Sequence, residues 1–561
     1  MGSTYDFIVV GGGPAGCTVA AGLMNSPKKP SVLLIEAGGA NADRNLRVDG
    51  QRSMTIRNND MNWAYKSAPQ EHARNRETPY PSGRGMGGGS AVNYAMYTVG
   101  ARDDYDEWAR ITGDNAFDWE HMQTRLKNLE SFKGETPPGL DKYASPRPTD
   151  HGTSGPLKVG YANEWEEDIP EMLDCFHQAG YPLNPDHNSG NPIGISPAIN
   201  SSQNGVRSTA ADLVTPAPEN LTIVHSSPVQ RVIMEGKKAV GVESNGNKYF
   251  ASKEVIVCAG AFGTPKILMH SGIGPAKQLN EYKIPICKAV EAVGQGLRDH
   301  MSVPIIFSRK ENGSSRNAFW SNDKAMEDAL VQWKKDSTGP WAKHGCQLVI
   351  GFFKVKDLEK SKEFQDLPAD EQRFMLLETV PHYEVVTFIP IHLFAPELTK
   401  VNYHCMAVWY YNAHSRGEAT LQSSDPNVPL KLDPKFLAEP FDRRIAIESL
   451  RSTMRVTQHE AFAKDTIAQL VGPKSDSDED LLDYWTEHIM SSLHMAGTAK
   501  MGKPGDSDAV VDTNFRVMGI EGLRIADMSV VPVLPSCHTQ AVAYVTGITC
   551  AEKLVQEYGL A

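Results

Sequence analysis

Tyr5-Asp-Phe-Ile-Val-Val-Gly-Gly-Gly-Pro-Ala-Gly16 is the stretch on which the fold turns. Its apolar run from Phe7 to Val10 reads as a buried parallel strand. The glycine turn follows at once, then a helix from Cys17 to about Met24, then a second strand, Ser31-Val-Leu-Leu-Ile35, ending in Glu36. Strand, turn, helix, strand and acid together form a dinucleotide fingerprint, in which spacing gives each glycine a task. Gly11 allows the tight turn, Gly13 lets the backbone approach a pyrophosphate, and Gly16 lets the helix pack on the strand. The helix start offers unpaired N–H groups to phosphate oxygens. Glu36 is placed to accept from ribose hydroxyls.

Gly83-Arg-Gly-Met-Gly-Gly88 repeats the same spacing. Pro79-Tyr-Pro-Ser82 precedes it instead of an apolar strand, and no strand ending in an acid follows, so it is no second nucleotide turn. One nucleotide cofactor is expected, bound near the N-terminus. Around this core lies a chain of 561 residues, long enough for more than one domain. Its 56 basic and 68 acidic residues leave a formal charge of −12, which argues against a nucleic-acid or anionic-membrane binder. No apolar run reaches the ~18–20 residues of a membrane span. Without a signal peptide the sequence as it stands reads as cytoplasmic, and a leader removed from it would make it secreted. The eight cysteines form no CxxC and read as buried free thiols. Acidic clusters at Asp103–Glu107 and Asp476–Asp480 read as solvated helix starts, and no metal is expected.

Three further segments point to a family. Gly83-Arg-Gly-Met-Gly-Gly-Gly-Ser-Ala-Val-Asn93 and Gly260-Ala-Phe-Gly-Thr-Pro-Lys-Ile-Leu-Met-His-Ser-Gly-Ile-Gly274 resemble the two signatures of the glucose–methanol–choline (GMC) oxidoreductases. His494-Met-Ala-Gly-Thr498 and Pro535-Ser-Cys-His-Thr-Gln540 are similar to that family's two catalytic histidine segments, with an ending most like aryl-alcohol oxidases. The landmarks run from residue 11 to residue 540 in family order.

The resemblance implies FAD as cofactor. Gly87, Gly88 and Asn93 would lie along it, with Val229 by the adenine, Asp527 in the last strand, and Thr539 and Gln540 at its pyrimidine side. Val92 stands where family members with a linked flavin carry His, so the FAD is expected to be non-covalent. It also implies an α/β FAD-binding Rossmann-like domain (1–150, 205–300 and 490–561), interleaved with an α+β substrate domain (151–204 and 301–489) built on an antiparallel sheet.

The expected chemistry is oxidation of a primary alcohol, aryl or allylic by preference, to an aldehyde. By resemblance His494 takes the hydroxyl proton and His538 is its hydrogen-bonding partner, while flavin N5 takes the hydride. His538 should precede a helix from about Ala541 to Leu554, whose positive end disfavours imidazolium. O2 is the expected acceptor. A dehydrogenase of an alcohol or sugar with a quinone-type acceptor, and a flavin-containing lyase, are the alternatives.

Aromatic residues are dense in the second domain, among them Phe319, Trp320, Phe352, Phe353, Tyr383, Phe388, Phe394, Trp409, Tyr410 and Tyr411, and some should narrow the substrate entrance. Phe388–Phe394 is the candidate gate. Alternating runs at Thr399–Tyr411 and Glu418–Gln422 predict strands of the antiparallel sheet.

Overall fold

The computed structural model describes residues 3–310, 315–391, 395, 398 and 402–561. One sheet is built from β1 (Thr4–Val10), β2 (Val32–Ile35), β3 (Leu221–Val224), β4 (Val229–Glu235), β5 (Lys238–Ser244) and β6 (Asn247–Val257). Their order is β3-β2-β1-β6-β5-β4, and Leu523–Ile525 joins β6 on its free side. β3, β2, β1, β6 and the late strand are parallel; β4, β5 and β6 form an antiparallel meander. Phe7 to Val10 and all of β2 are buried, which is why both read as unbroken apolar runs. β3 and β4 are adjacent in sequence, yet they do not pair: they sit at opposite ends of the sheet order.

Helix α1 spans Pro14–Met24 and starts three residues before the expected Cys17, because Pro14 at its first position has no N–H to leave unpaired. Four more helices position the site: α2 (Arg102–Thr112), α3 (Gly260–His270), α4 (Asp478–His488) and α5 (Gln540–Glu557). α4 is capped by Ser477, whose side chain accepts from the Asp480 N–H. α5 packs along α1 through small residues. A Cβ on Gly22 would sit 2.5 Å from that of Ala551, and one on Gly547 would sit 2.1 Å from Thr18 Oγ1.

The acidic start of α2 is not the solvated cluster its composition suggests. Asp104 is fully buried and accepts from the Ser536 N–H at 2.7 Å. Burial pushes its carboxyl up to about 7, against the backbone hydrogen bonds that lower it. Asp104 thereby anchors the segment that carries His538.

The second sheet comprises β7 (Met301–Arg309), β8 (Val349–Phe353), β9 (Tyr383–Thr387), β10 (Tyr403–Tyr410) and β11 (Thr466–Val471), in the order β8-β9-β10-β7-β11, antiparallel throughout. Met490–Ser491 pairs with the start of β7, so the expected boundary at 490 falls inside this sheet. Of Thr399–Tyr411, residues 399–401 lie outside the described ones. The strand expected at Glu418–Gln422 is Gly417–Thr420, and it belongs to a separate three-stranded sheet.

Register brings distant residues into rows. Ser302 on β7 and Glu384 on β9 both pair with Trp409 on β10. Paired residues of an antiparallel sheet point to the same face. Tyr410 is on the opposite face and packs against Trp485. All eight cysteines are free and seven are buried. No described helix is long and apolar enough to cross a membrane.

Candidate active site

Residues of both sheets enclose a cavity of about 510 Å3. From the first sheet and its turns come Gly11, Gly13, Glu36, Gly88, Asn93 and Val229. Asp527, His494, His538, Thr539 and Gln540 come from the C-terminal segment, and Ser302, Val386 and Trp409 from the second sheet. Of the expected site residues, Gly16 and Gly87 do not line the cavity. A Cβ on Gly16 would meet Gly11 O at 1.9 Å, so its place is the strand–helix contact. Gly87, at φ +91°, donates its N–H to Gly12 O at 2.8 Å and holds the two glycine turns together.

The turns leave a bare backbone surface. Added at Gly13, a Cβ would find no protein atom nearer than Gly88 Cα at 3.9 Å. The start of α1 has no side-chain cap and no acid in its first turn, so its N–H groups remain open to an anion. Glu36 accepts from the Gly12 and Gly38 N–H groups at 2.7 Å and from Gly85 at 2.9 Å, which fixes its carboxylate at the cavity wall. Asp527 accepts from the Gly260 N–H at 2.9 Å and the Ser529 N–H at 2.7 Å, and burial raises its carboxyl above the usual range.

Asn93 donates to Gln540 Oε1 at 2.6 Å, while Gln540 Nε2 is buried with no protein partner. An orphaned donor of that kind costs roughly 1–3 kcal/mol. A polar heterocycle in the cavity would relieve it. The open start of α1, the bare glycine backbone and this orphan amide all fit a dinucleotide with a polar ring system.

Three histidines stand in a row beside this surface. His494 and His538 rings are 4.9 Å apart at 78°, and His300 and His494 are 5.2 Å apart at 88°. His300 Nδ1 lies 3.0 Å from His494 Nδ1, so one hydrogen is shared there. His538 Nε2 lies 2.8 Å from Glu384 Oε1, and Glu384 also accepts from Tyr411 Oη. α5 begins at Gln540, as its expected position requires, but a carboxylate is the nearest charge to His538 and not the helix end. Burial first, then the neighbouring His538 and His300, hold the His494 imidazolium well below its ordinary range. Asp299 ties the row to the backbone, accepting from His494 N at 2.9 Å, His300 N at 2.8 Å and Tyr80 Oη at 2.8 Å.

His300, Glu384 and Asp299 were not among the expected site residues. Val293-Gly-Gln-Gly-Leu-Arg-Asp-His300 is recognisable as a family-like turn, which is the one signal that could have found Asp299 and His300. Among the aromatics, Trp409 lines the cavity, edge-on to His538 at 6.0 Å. Phe319 and Trp320 belong to a separate cluster with Trp333 and Trp341. Phe352, Phe353, Tyr383, Phe388, Tyr410 and Tyr411 do not line it either. Within the expected gate Ile389 does, whereas Phe388 packs against His404; residues 392–394 lie outside the described ones. No group of three or more His, Cys, Asp or Glu placed to hold a metal occurs among the described residues.

The chain matches the N-terminal part of the GMC oxidoreductases over residues 5–302 and their C-terminal part over residues 413–547. It is 30% identical to the dehydrogenase pkfF of Emericella nidulans, over 98% of this chain and 92% of that protein. Oxygen-dependent choline dehydrogenase 1 of Chromohalobacter salexigens is 28% identical, over 98% of this chain and 94% of its own. The structure of formate oxidase from Aspergillus oryzae superposes with a TM-score of 0.89 at 27% identity, over the whole of both chains. With both parts in order and the relatives matched nearly end to end, this chain belongs to the GMC family of FAD-dependent oxidoreductases.

Proposed function

We propose that the protein oxidises a primary alcohol to an aldehyde, with non-covalent FAD as the oxidant and O2 as the final acceptor. The observation that carries this is the pair of orthogonal imidazoles, His494 and His538, at the wall of a cavity that fits FAD. Bound FAD supplies a hydride acceptor. His494 Nδ1 is engaged by His300, which leaves Nε2 to take the hydroxyl proton. His538 Nε2 is engaged by Glu384, which turns its Nδ1 edge toward the cavity beside the same oxygen. Val92, buried and apolar beside Asn93, offers no atom for a flavin bond. Residues 1–150, 205–300 and the part of 490–561 beyond Ser491 would hold the FAD, and 151–204 and 301–489, with His494 and His538, would surround the alcohol.

Relatives act, by their names, on choline and formate. The cavity supports a different substrate here. Among the described lining residues the only carboxylates are Glu36 and Asp527, both already held by backbone N–H groups, so none is free for a quaternary ammonium. Tyr94, Met96, Leu348, Val386, Ile389 and Trp409 form an apolar wall suited to an aryl or allylic alcohol.

Anaerobic mixing with a panel of alcohols tests the reading. An aryl or allylic alcohol should bleach the yellow flavin and choline should not. Product formed with the flavin unbleached would mean a lyase instead. Turnover with a quinone-type dye but not with O2 would transfer the protein to the dehydrogenases.

A further inference from the structure

Behind the histidine row lies a second cavity, of about 240 Å3. Its walls include His300, Arg298, Glu371, His414 and Arg416. His494 lines the first cavity and not the second, and His300 lines the second and not the first. The Nδ1–Nδ1 contact at 3.0 Å therefore joins two chambers through two imidazole rings.

We propose that His300 relays the substrate proton from His494 to solvent in this second cavity. This rests on the alcohol-oxidation reading above. His300 Nε2, across the ring from the shared hydrogen, is buried and has no protein partner. Leaving it so is unfavourable, and a water entering from the adjoining chamber would satisfy it. The chamber carries the charged side chains of Arg298, Glu371 and Arg416 on its wall and far exceeds the ~10–15 Å3 one water needs.

The proton balance closes with both rings neutral before and after. At the start the shared hydrogen sits on His494 Nδ1 and a second one on His300 Nε2. The alcohol O–H bond breaks and its proton goes to His494 Nε2; the hydride is what bound FAD would accept. His494 Nδ1 passes its hydrogen to His300 Nδ1, and His300 Nε2 gives its own to water. The aldehyde and one released proton are the products. Reoxidation by O2 to hydrogen peroxide would consume the hydride, with its two electrons and its proton, and one further proton, which would return along the same two rings. Such a chain suits rings too buried to hold a charge. Burial pushes both His300 and His494 well below the ordinary imidazole range, so a proton arriving on His494 cannot rest there.

Two measurements on the holoenzyme test this. Ile111 and Ala413 line only the second cavity, and Ile111→Trp or Ala413→Phe should fill it. In 15N-histidine-labelled protein, the shared Nδ1 hydrogen should exchange with D2O about tenfold or more slowly in either filled variant, provided the variant melts as the parent does. A non-oxidisable alcohol analogue in the first cavity should leave the exchange rate unchanged. Exchange slowed by the analogue and indifferent to both fillings would overturn the relay, whether or not any alcohol is oxidised. In a single anaerobic turnover with a pH-indicator dye, His300→Phe and both filled variants should release the proton well after the flavin bleaches. Release in step with bleaching in all three would also overturn it. Failure of every alcohol to bleach the parent flavin would remove the oxidation reading instead, and leaves the exchange result to decide the two-ring path.

Discussion

His538 Nε2 stands 2.8 Å from Oε1 of Glu384, a carboxylate with no solvent exposure that arrives from the second sheet. The contact fixes which nitrogen of His538 faces the cavity. It also means that His538 is oriented from the second sheet, whereas His494 is held through Asp299 and His300.

Replacing that carboxylate should therefore reach the chemistry. Glu384→Gln keeps the shape and loses the charge, and flavin reduction should slow by about 10- to 100-fold with FAD content unchanged. Glu384→Leu leaves both His538 and Tyr411 Oη without their partner, at roughly 1–3 kcal/mol each, so it should also lower the melting temperature. Stopped-flow absorbance and thermal unfolding report the two effects separately. An unchanged reduction rate in Glu384→Gln would contradict the assignment.

His494→Ala should reduce the flavin about 10²–10⁴-fold more slowly than the parent, the range expected for loss of a general base. His538→Ala should be less severe, since it removes a positioning hydrogen bond and not the proton acceptor. Both proteins should retain the flavin spectrum. A His494→Ala enzyme as fast as the parent would refute its role as base.

Acid should act in a defined window. His187 and His382 are lowered by burial to about 4, and His300 and His494 are lowered well below 6.5. A histidine whose folded-state pKa is depressed contributes stability above pH ~6.5, and that stability is lost as pH falls below it. Unfolding free energy should therefore drop between pH 6.5 and 4. His151 runs the other way: burial opposes its charge, but Asp186 and Glu130 outweigh burial and raise it to about 9. Its contribution is complete below pH ~6.5 and fades as pH rises through 9. The rate of flavin reduction should hold well below pH 6.5, because the depressed pKa keeps His494 neutral and able to accept a proton there. Denaturant melts and single-turnover rates across this range check both.

Two glycines of one turn should respond differently to alanine. Gly13 is extended at φ −80° and an added Cβ meets nothing nearer than 3.9 Å, so Gly13→Ala should fold like the parent. The methyl would project into the bare surface proposed for the pyrophosphate, and FAD content should fall. Gly16→Ala would drive its methyl against Gly11 O at 1.9 Å, so the apoprotein itself should lose stability. Apoprotein melting and bound flavin per chain separate the two cases.

These contrasts mark what a linear reading can reach. The glycine turn, α1 and the two outer histidine segments were legible because their physics is local: φ, helix starts and short-range spacing. Glu384 was invisible because it meets His538 only through the register that sets it opposite Trp409. Trp409 and Tyr410 are chemically alike in sequence, and only strand alternation sends one to the cavity and the other to Trp485. Asp104 looked solvated because its neighbours are charged, while the Ser536 N–H that holds it lies 432 residues away.

The pairing of Leu523–Ile525 with β6, and the packing of α5 on α1, have a consequence for how the protein is made. The nucleotide turn at Gly11–Gly16 is synthesised hundreds of residues before Asp527, Thr539 and Gln540. A chain still attached to the ribosome holds an unfinished cradle, and Thr18 waits for the Tyr544 carbonyl to which it donates. A chain cut before Asp527 should thus be colourless, and loading with FAD becomes a signal that synthesis has passed Tyr544.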